Sequence, residues 1–317
     1  MDMPKHLTRF LTLLAVLVSG ASSALDASQS AAAPLELMVF GSGGPGATGR
    51  AASSYLILID GVPRMLVDAG PGSFARLGEA KVSLASTDIV LLTHLHVDHA
   101  GELAGLFKAR AVSSSGPIVF NVWGPDGSRE QRQGAYFPST SRFLHLLFGP
   151  NGAFAYLKDF SAPITFHAHD IPTSIGMHAE PHEVFKQSAL TVTAIAGHHA
   201  DAPSVIYRID NAGRSVTFSG DIDAQGVPNL TRIAKDTDLL VFNSVVLDPP
   251  DSPAILYTLH TPPHAIGEIA KQANVHGLLL SHLSPATEEE HDAVLKSIRQ
   301  SFTGPVTMAT DGMRLKP

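Results

Sequence analysis

The chain has 317 residues, of which 44% are hydrophobic and 16% are charged, and its formal net charge is −7. This composition supports one large apolar core, and the acidic balance argues against a surface that binds long nucleic acid, which needs clustered Lys and Arg. The sequence contains no Cys, so disulfides are excluded and any metal site has to use His and carboxylate side chains.

The N-terminus has the pattern of a secretory signal peptide. An apolar run follows Lys5 and Arg9, and small residues at 22–24 offer a cleavage site. We expect a signal peptide at 1–24 and a flexible leader at 25–34, with an uncleaved anchor or a buried N-terminal helix as the alternatives. The mature protein would then be periplasmic or secreted, with no stable membrane span after cleavage.

The first predicted strands frame a glycine-rich turn. Residues 35–40 predict an apolar strand, and Gly-Ser-Gly-Gly-Pro-Gly follows at 41–46. The next segment, 54–60, again predicts a strand. Because the glycine spacing is not Gly-x-Gly-x-x-Gly leading into a helix, a nucleotide-binding turn is not indicated. An Asp-Gly turn then predicts a hairpin to a strand at 64–67.

The most distinctive stretch is His-Leu-His-Val-Asp-His, which starts at His94 directly behind an apolar strand at 89–92. The end of a strand places His94 and His96 on the same side of the chain, and the turn brings Asp98 and His99 from another direction. Imidazole and carboxylate ligands suit a borderline cation such as zinc, with manganese or iron as alternatives. A polar loop that is merely rich in His is the competing interpretation.

The next part of the chain predicts further strands around a longer insertion. After a strand at 118–123, residues 126–160 carry several aromatic side chains and predict a mostly helical insertion along one side of the site. A strand at 190–196 then runs into His198 and His199, either of which could be a metal ligand.

Three later strands each end at a polar side chain. They are residues 214–219 before Asp221, residues 238–242 before Asn243, and residues 277–281 before His282. Because the candidate ligands all follow apolar strands, we expect them to meet at one edge of a sheet sandwich.

His-x-His-x-Asp-His resembles the signature of the metallo-β-lactamase superfamily of binuclear metallohydrolases. The glycine-rich turn at 41–46, Gly-Pro after the strand at 118–123 and Ser-Pro after His282 are similar to its ribonuclease Z and arylsulfatase-like branch. The resemblance covers most of residues 35–312. It implies an α/β fold, a four-layer αββα sandwich, for a domain that spans residues 35–317.

The resemblance also implies a ligand set for two divalent metal ions, most simply Zn²⁺. The implied ligands are His94, His96 and His199 for one ion, Asp98, His99 and His282 for the other, and Asp221 as the bridge. The position of the family motif favours His199 over its neighbour His198. Asp68, in Val-Asp-x-Gly, would orient the histidine cluster by accepting an imidazole N–H, although a turn-forming Asp is the alternative.

Proton donation to the leaving group is the remaining role that the resemblance implies. His260, in Leu-His-Thr-Pro, matches the donor motif, and His264 is an alternative. Relatives that process tRNA often carry Glu where this chain has Asn243, and that carboxylate would help hold the imidazolium. Asp98 and His260 are therefore the predicted catalytic residues, with the role of His260 weakened by the missing Glu.

These patterns predict an exported binuclear hydrolase of small esters, with phosphodiesters or aryl sulfates favoured. Two neighbouring cations would lower the pKa of a shared water and give a hydroxide nucleophile. A metallo-β-lactamase or lactonase is the alternative. A ribonuclease Z-type endonuclease and an inactive metal-binding protein rank lower, since the acidic charge makes a nucleic-acid partner a poor fit. A homodimer is compatible with the sequence.

Overall fold

The computed structural model describes residues 34–46, 48–128, 137–174 and 179–317. The predicted signal peptide and nearly all of the predicted leader lie outside these ranges. Within the described ranges, no helix has both the length and the apolar character needed to cross a membrane.

The described residues form strands and helices in a mixed order along the chain. The strands are β1 (Leu35–Gly41), β2 (Ser54–Ile59), β3 (Val62–Val67), β4 (Ile89–Leu91), β5 (Ile118–Pro125), β6 (Ile164–Ile171), β7 (His182–Gln187), β8 (Leu190–Ala196), β9 (Val205–Asn211), β10 (Arg214–Phe218), β11 (Leu239–Asn243), β12 (Leu278–Ser281), β13 (Val306–Met308) and β14 (Arg314–Leu315). The α-helices are α1 (Ser73–Ala80), α2 (Val97–Ala100), α3 (Leu103–Val112), α4 (Thr140–Phe148), α5 (Val227–Ile233), α6 (Pro263–Gln272), α7 (Pro285–Glu289) and α8 (His291–Ile298). Short 3₁₀ helices occur at Ala155–Asp159 and Ala254–Thr258.

The strands are arranged in two seven-stranded sheets with the same design. The strand order is β14-β1-β2-β3-β4-β5-β6 in one sheet and β13-β12-β11-β10-β9-β8-β7 in the other. Each sheet is mixed, with a parallel part that comprises β3 to β6 in the first sheet and β10 to β13 in the second. The carboxyl ends of neighbouring parallel strands lie at one sheet edge, where loops can place functional side chains together.

Three apolar layers hold the sandwich together. One layer lies between the two sheets and contains Tyr55, Tyr207 and Phe218. A second layer packs α3 and α4 against the first sheet, with Phe107 among its fully buried side chains. The third packs α5, α6 and α8 against the second sheet. The predicted four-layer αββα sandwich is confirmed.

Strand β1 has apolar side chains on both faces of its sheet. Leu37 and Val39 point into the layer between the sheets, while Met38 and Phe40 point into the layer beneath the helices. Side chains alternate along a strand with period two, so an apolar run covered on both sides predicts a strand that is buried on both faces.

The structure also differs from the sequence-based expectation in several elements. Strands β6 and β7 and helix α1 were not predicted. The amphipathic pattern at 288–301 predicts one helix, but the structure has two, which are divided at Glu290, where α7 ends and α8 begins. In the described part of the predicted insertion, α4 is followed by the 3₁₀ helix at Ala155–Asp159.

Candidate metal centre

The seven predicted ligands meet at the sheet edge where the parallel strands end. They are His94 and His96 after β4, Asp98 and His99 on the single turn of α2, His199 after β8, Asp221 after β10, and His282 after β12. His96 is partly exposed and the other six are buried. Ligand atoms of these side chains form overlapping groups whose members lie within 4.8 Å of one another.

One group consists of His94, His96 and His199. His94 Nε2 faces His96 Nδ1 at 3.1 Å. His199 donates Nδ1–H to the backbone carbonyl of Leu259 at 2.8 Å, so its Nε2 lone pair is turned toward the group. These three imidazoles therefore present ring nitrogens to a common point.

A second group consists of Asp98, His99 and His282. His282 Nε2 lies 3.1 Å from Asp98 Oδ2, and His99 Nε2 lies 3.7 Å from the same oxygen. His99 donates Nδ1–H to Asp68 Oδ2 at 2.7 Å, which fixes the tautomer with a free lone pair on Nε2. Asp68 is held in turn by the backbone N–H of Thr93, at 2.8 Å from Oδ1.

Asp221 lies between the two groups. Its Oδ2 is 3.9 Å from His94 Nε2 and 3.7 Å from His199 Nε2. The same oxygen is 3.8 Å from His99 Nε2 and 3.6 Å from His282 Nε2. One carboxylate oxygen thus faces ring nitrogens from both groups.

Asn243 determines how this carboxylate is turned. Its side-chain amide donates to Asp221 Oδ1 at 2.7 Å. The bond occupies Oδ1 and leaves Oδ2 facing the imidazoles. In the sequence, Asn243 is notable only for standing where tRNA-processing relatives often carry Glu. Its position one strand away from Asp221, at the end of β11 beside β10, was the available signal for this contact.

The electrostatics of the cluster favour a positive charge at its centre. Burial would raise the pKa of the Asp221 carboxyl, but the surrounding imidazoles, His282 first, hold it well below its ordinary value. Burial would lower the pKa of His99, but the carboxylates, Asp68 first, raise it to about 9, so a metal ion bound at Nε2 would replace a proton there. Burial moves the pKa of His94 well below its ordinary value. Asp221 is therefore ionised and can stabilise a cation.

The donor atoms fit divalent metal ions. His99 Nε2 is buried and has no hydrogen-bond partner among the described residues. A buried polar atom without a partner is costly unless something else satisfies it. A cation between His99, Asp98 and His282 would accept this lone pair, and borderline ions such as zinc bind N/O sets of this kind.

His260 forms a further group of possible ligands with His199 and Asp221, whereas His264 does not belong to the cluster. His260 is buried, and its Nδ1 lies 4.0 Å from Asp221 Oδ2 and has no hydrogen-bond partner in the described part of the chain. Burial lowers the pKa of His260 to about 4, so its ring is neutral near pH 7. His264 is exposed and pairs with Asp248 at 2.7 Å.

His198 and His199 have different surroundings. His199 joins the cluster, whereas His198 Nδ1 donates to Asp223 Oδ2 at 2.7 Å and belongs to none of the ligand groups. Asp223 also accepts the backbone N–H groups of Ala200 and Gln225. Its role was missed from the sequence, although it follows Asp221 by two residues at the same strand end.

Comparisons with known proteins find relatives that match most of this chain. A family model described as the beta-lactamase superfamily domain matches residues 63–283. An uncharacterised protein of Mycobacterium tuberculosis is 28% identical over 256 residues, which cover 80% of this chain and 82% of the relative. Ribonuclease Z of a Mycobacterium species is 26% identical over 262 residues, with coverage of 79% and 85%.

Solved structures show the same fold at lower identity. The metallo-β-lactamase fold protein YhfI of Bacillus subtilis superposes with a TM-score of 0.65 at 21% identity and covers 90% of this chain and 100% of its own. The short form of human tRNase Z gives a TM-score of 0.64 at 21% identity, with coverage of 89% and 98%. Zn²⁺-bound PqqB of Methylobacterium extorquens gives a TM-score of 0.59 at 14% identity, with coverage of 89% and 100%.

Proposed function

Because the chain belongs to the β-lactamase superfamily and is a metal-dependent hydrolase, we propose that it is an exported binuclear enzyme that hydrolyses small phosphodiesters or aryl sulfate esters. The superfamily match covers residues 63–283. The family is shown by this match, and we propose the number of metal ions, the substrate and the compartment.

The observation that carries the binuclear proposal is the position of Asp221. Its Oδ2 lies between 3.6 and 3.9 Å from the Nε2 atoms of His94, His99, His199 and His282. Four ring nitrogens around one buried carboxylate oxygen are best explained by two cations that share this oxygen.

We assign one metal ion to each of the two ligand groups. His94, His96 and His199 would hold one cation, Asp98, His99 and His282 would hold the other, and Asp221 would contribute to both. When bound, two such ions, which we expect to be zinc, supply a nucleophile from water at neutral pH and neutralise charge in the transition state.

The remaining side chains position these groups. Asp68 keeps His99 in the tautomer that leaves Nε2 free, and Asn243 keeps Asp221 turned toward the cluster. His260 is placed to hydrogen-bond the leaving oxygen. Since burial disfavours its charged form, we assign it a neutral hydrogen-bonding role.

Two observations support small esters as substrates. Ribonuclease Z is by name an enzyme that cleaves RNA, whose backbone is joined by phosphodiesters, and two such relatives are 26% and 25% identical over most of this chain. The net charge of −7, however, is unfavourable for a long polyanion. The N-terminal apolar run supports export to the periplasm or medium.

An RNA endonuclease is the second candidate, because the relatives carry that name. The two candidates differ in salt dependence. Binding of RNA through many phosphates would weaken steeply as salt rises, whereas a small diester that makes few ionic contacts would change little.

A substrate panel tests the proposal. The purified chain is loaded with zinc and assayed on bis-p-nitrophenyl phosphate, p-nitrophenyl sulfate, a lactone, a β-lactam and a short RNA. We expect the highest kcat/KM on the phosphodiester or the sulfate. The lactone, β-lactam or RNA as best substrate would overturn the substrate proposal, and two bound metals without turnover would favour a binding role.

Asp98→Ala is the matched inactive variant. Loss of this ligand should reduce kcat on the best substrate by roughly a thousandfold or more, since metal-assisted hydrolysis depends on the second ion. Asp248→Ala serves as the control because Asp248 pairs with His264 outside the cluster. Equal turnover of the two variants would contradict the assignment.

A further inference from the structure

Asp311, which follows β13, joins the two ends of the glycine-rich turn after β1. Its Oδ1 accepts the backbone N–H and the hydroxyl of Ser42, at 3.0 and 2.7 Å. Its Oδ2 accepts the backbone N–H of Ala51 at 2.8 Å and Nε–H of Arg76 at 2.9 Å. Only 12% of the Asp311 side chain is exposed, so these charge-assisted hydrogen bonds are little screened by solvent.

Arg50 holds the start of the same turn from the other side. It donates Nη1–H to Ser42 Oγ at 2.7 Å and to the backbone carbonyl of Ala309 at 3.0 Å. Its Nη2 pairs with Glu288 Oε1 at 2.7 Å. Ser42 is fully buried, and its hydroxyl therefore lies between a carboxylate and a guanidinium that both fix its position.

The turn is bonded to the backbone that directly follows the ligand His282. The backbone N–H of Leu283 donates to Ser42 O at 2.9 Å, and the backbone N–H of Gly44 donates to Leu283 O at 3.2 Å. Both backbone polar groups of Leu283 are therefore held by the turn. A Cβ at Gly44 would lie 2.9 Å from Nδ1 and Cε1 of His282, so the turn also packs directly against the ligand ring.

Within the described chain, His282 lacks the outer hydrogen bond that orients other imidazoles of the metal centre. Its Nδ1 is buried without a partner, whereas the Nδ1 atoms of His99 and His199 have hydrogen-bond partners outside the centre. The φ angle of His282 is 55°, a left-handed conformation that surrounding contacts have to maintain. The contacts from the glycine-rich turn therefore take the place of the missing hydrogen bond.

We propose that Asp311 is a positioning residue for His282 and thereby determines how tightly one of the two metal ions is held. The inference rests on the proposed binuclear site and adds a residue that lies outside it. Asp311 fixes Ser42, and the turn from Ser42 to Gly44 then fixes the ligand ring. Asp311 itself touches neither the metal ions nor the reacting atoms.

The effect of Asp311 should differ between the two metal ions. One ion is assigned to His94, His96 and His199, and among the described residues the turn makes no hydrogen bond with these three ligands. The other ion depends on His282, whose ring and following backbone the turn holds. Loss of Asp311 should therefore weaken the ion at His282 selectively, which a general loss of stability would not do.

Site-resolved zinc occupancy tests the proposal. Crystals of the parent and of Asp311→Asn are equilibrated at a series of buffered free zinc concentrations, and anomalous peak heights give the occupancy of each ion. An amide keeps one acceptor oxygen and meets the remaining donors with an N–H group, so the turn loses its clamp. The free zinc needed for half-occupancy should rise about tenfold at the ion held by His282 and less than about twofold at the other ion.

Asp238→Asn is the matched control. Asp238 accepts the backbone N–H and the hydroxyl of Ser215 and pairs with Arg214, which are the same kinds of contact that Asp311 makes. It precedes β11, at the end of this strand opposite to Asn243. Both half-occupancy concentrations should stay within about twofold of the parent, as expected for a substitution that shares no contact with the ligands.

Ser42→Ala is a milder variant of the same network and carries the test if Asp311→Asn fails to fold. It keeps the backbone N–H that donates to Asp311 and removes the hydroxyl that Asp311 and Arg50 share. The half-occupancy concentration at the ion held by His282 should rise about threefold, as the loss of one hydrogen bond allows.

Metal-free crystals separate the failure of this inference from the failure of the binuclear site. If the parent holds a single zinc ion, the binuclear proposal fails, and the His282 ring in metal-free Asp311→Asn then decides the inference. A ring that is rotated relative to the metal-free parent supports positioning by Asp311, and an unchanged ring overturns it. Equal shifts at both ions, no shift at the ion held by His282, or an equal shift there in Asp238→Asn would also overturn it.

Discussion

Several buried imidazoles of the centre have one ring nitrogen engaged outside it. His99 donates Nδ1–H to Asp68, His199 donates to the carbonyl of Leu259, and His94 Nδ1 lies 3.2 Å from Thr93 Oγ1. Each contact turns Nε2 toward the cluster. Hydrogen bonds of this type fix the tautomer and the ring orientation that a metal ion requires.

Asn243 is the residue whose role is most sharply testable. Asn243→Ala removes the donor to Asp221 Oδ1 and frees the carboxylate to rotate. Because partners that orient a ligand typically contribute 10- to 100-fold to metal affinity, we expect zinc affinity to fall by roughly tenfold or more. Competition with a chromophoric chelator measures this loss.

Asn229→Ala is the matched control for Asn243→Ala. Asn229 is also buried, but its amide donates to the backbone carbonyl of Ala196. This variant should lose stability and keep its zinc affinity. Equal zinc affinities for the two variants would show that Asn243 does not orient the bridging carboxylate.

Three strand ends are followed by a residue in the left-handed conformation. Asp68, Gly220 and His282 follow β3, β10 and β12, and their φ angles are 57°, 57° and 55°. A left-handed residue turns the chain sharply at the end of a strand, which brings the next side chains back over the sheet edge. For Asp68 and His282 this conformation is strained, and the surrounding contacts have to maintain it.

The glycine-rich turn after β1 is closely packed against one ligand. A Cβ at Gly44 would lie 2.9 Å from Nδ1 and Cε1 of the buried His282 ring. Gly44→Ala should therefore displace this ring and lower the affinity for the metal ion that His282 holds by about tenfold or more, while the protein still folds. Metal content after dialysis against dilute chelator reports the effect.

Gly116→Ala provides the comparison for Gly44→Ala. A Cβ at Gly116 meets nothing within 4 Å, so this variant should retain the metal content of the parent. If Gly44→Ala retains as much metal as Gly116→Ala, the turn does not constrain the ligand.

The junction between β10 and β11 is stabilised by a carboxylate. Asp238 accepts the backbone N–H and hydroxyl of Ser215 and contacts Arg214 and His276. Burial would raise the pKa of Asp238, but these hydrogen bonds, that of Ser215 first, lower it. A lowered pKa means that the stabilisation is present above the unfolded value of about 4 and is lost as pH falls through the folded value.

Asp238→Ala should therefore reduce the free energy of unfolding at pH 7 by about 1–3 kcal/mol, the usual cost of losing a hydrogen-bonded acceptor. The difference from the parent should shrink as pH falls below about 4. Urea unfolding of the metal-free proteins across this range measures both effects. A difference that is constant with pH, or a loss no larger than that of the exposed Asp292→Ala, would contradict the assignment.

At the scale of the whole molecule, the sequence predicts the strands that are buried on both faces, because burial makes them continuous apolar runs. Interior strands such as β1 and β12 are apolar runs that end at Gly or His, and they were predicted almost to the residue. Strands β6 and β7 lie at sheet edges, where half or more of the side chains face solvent. Their His, Asp, Glu and Lys residues leave no apolar run, so their pairing can be recognised only in the folded chain.

The candidate site, like the strands, was predictable from the sequence only in part. The ligand types and their strand-end positions can be read from local sequence, because a strand end fixes where the next side chains lie. The contacts between distant segments cannot. Asn243 meets Asp221 and Leu259 meets His199 only because β10, β11 and the segment before α6 converge at one edge.

The metal centre forms only when the two sheets have packed together through the apolar layers. Its ligands come from both sheets, with His94 after β4 in one and His199, Asp221 and His282 after strands of the other. Metal binding should therefore stabilise the whole domain against unfolding, and removal of the metal should lower its Tm.

The most direct test of the binuclear proposal is a crystal structure of the zinc-loaded chain with anomalous diffraction measured at the zinc absorption edge. We predict two anomalous peaks on either side of Asp221 Oδ2, one against His94, His96 and His199 and the other against Asp98, His99 and His282. A single peak, or peaks away from Asp221, would contradict it.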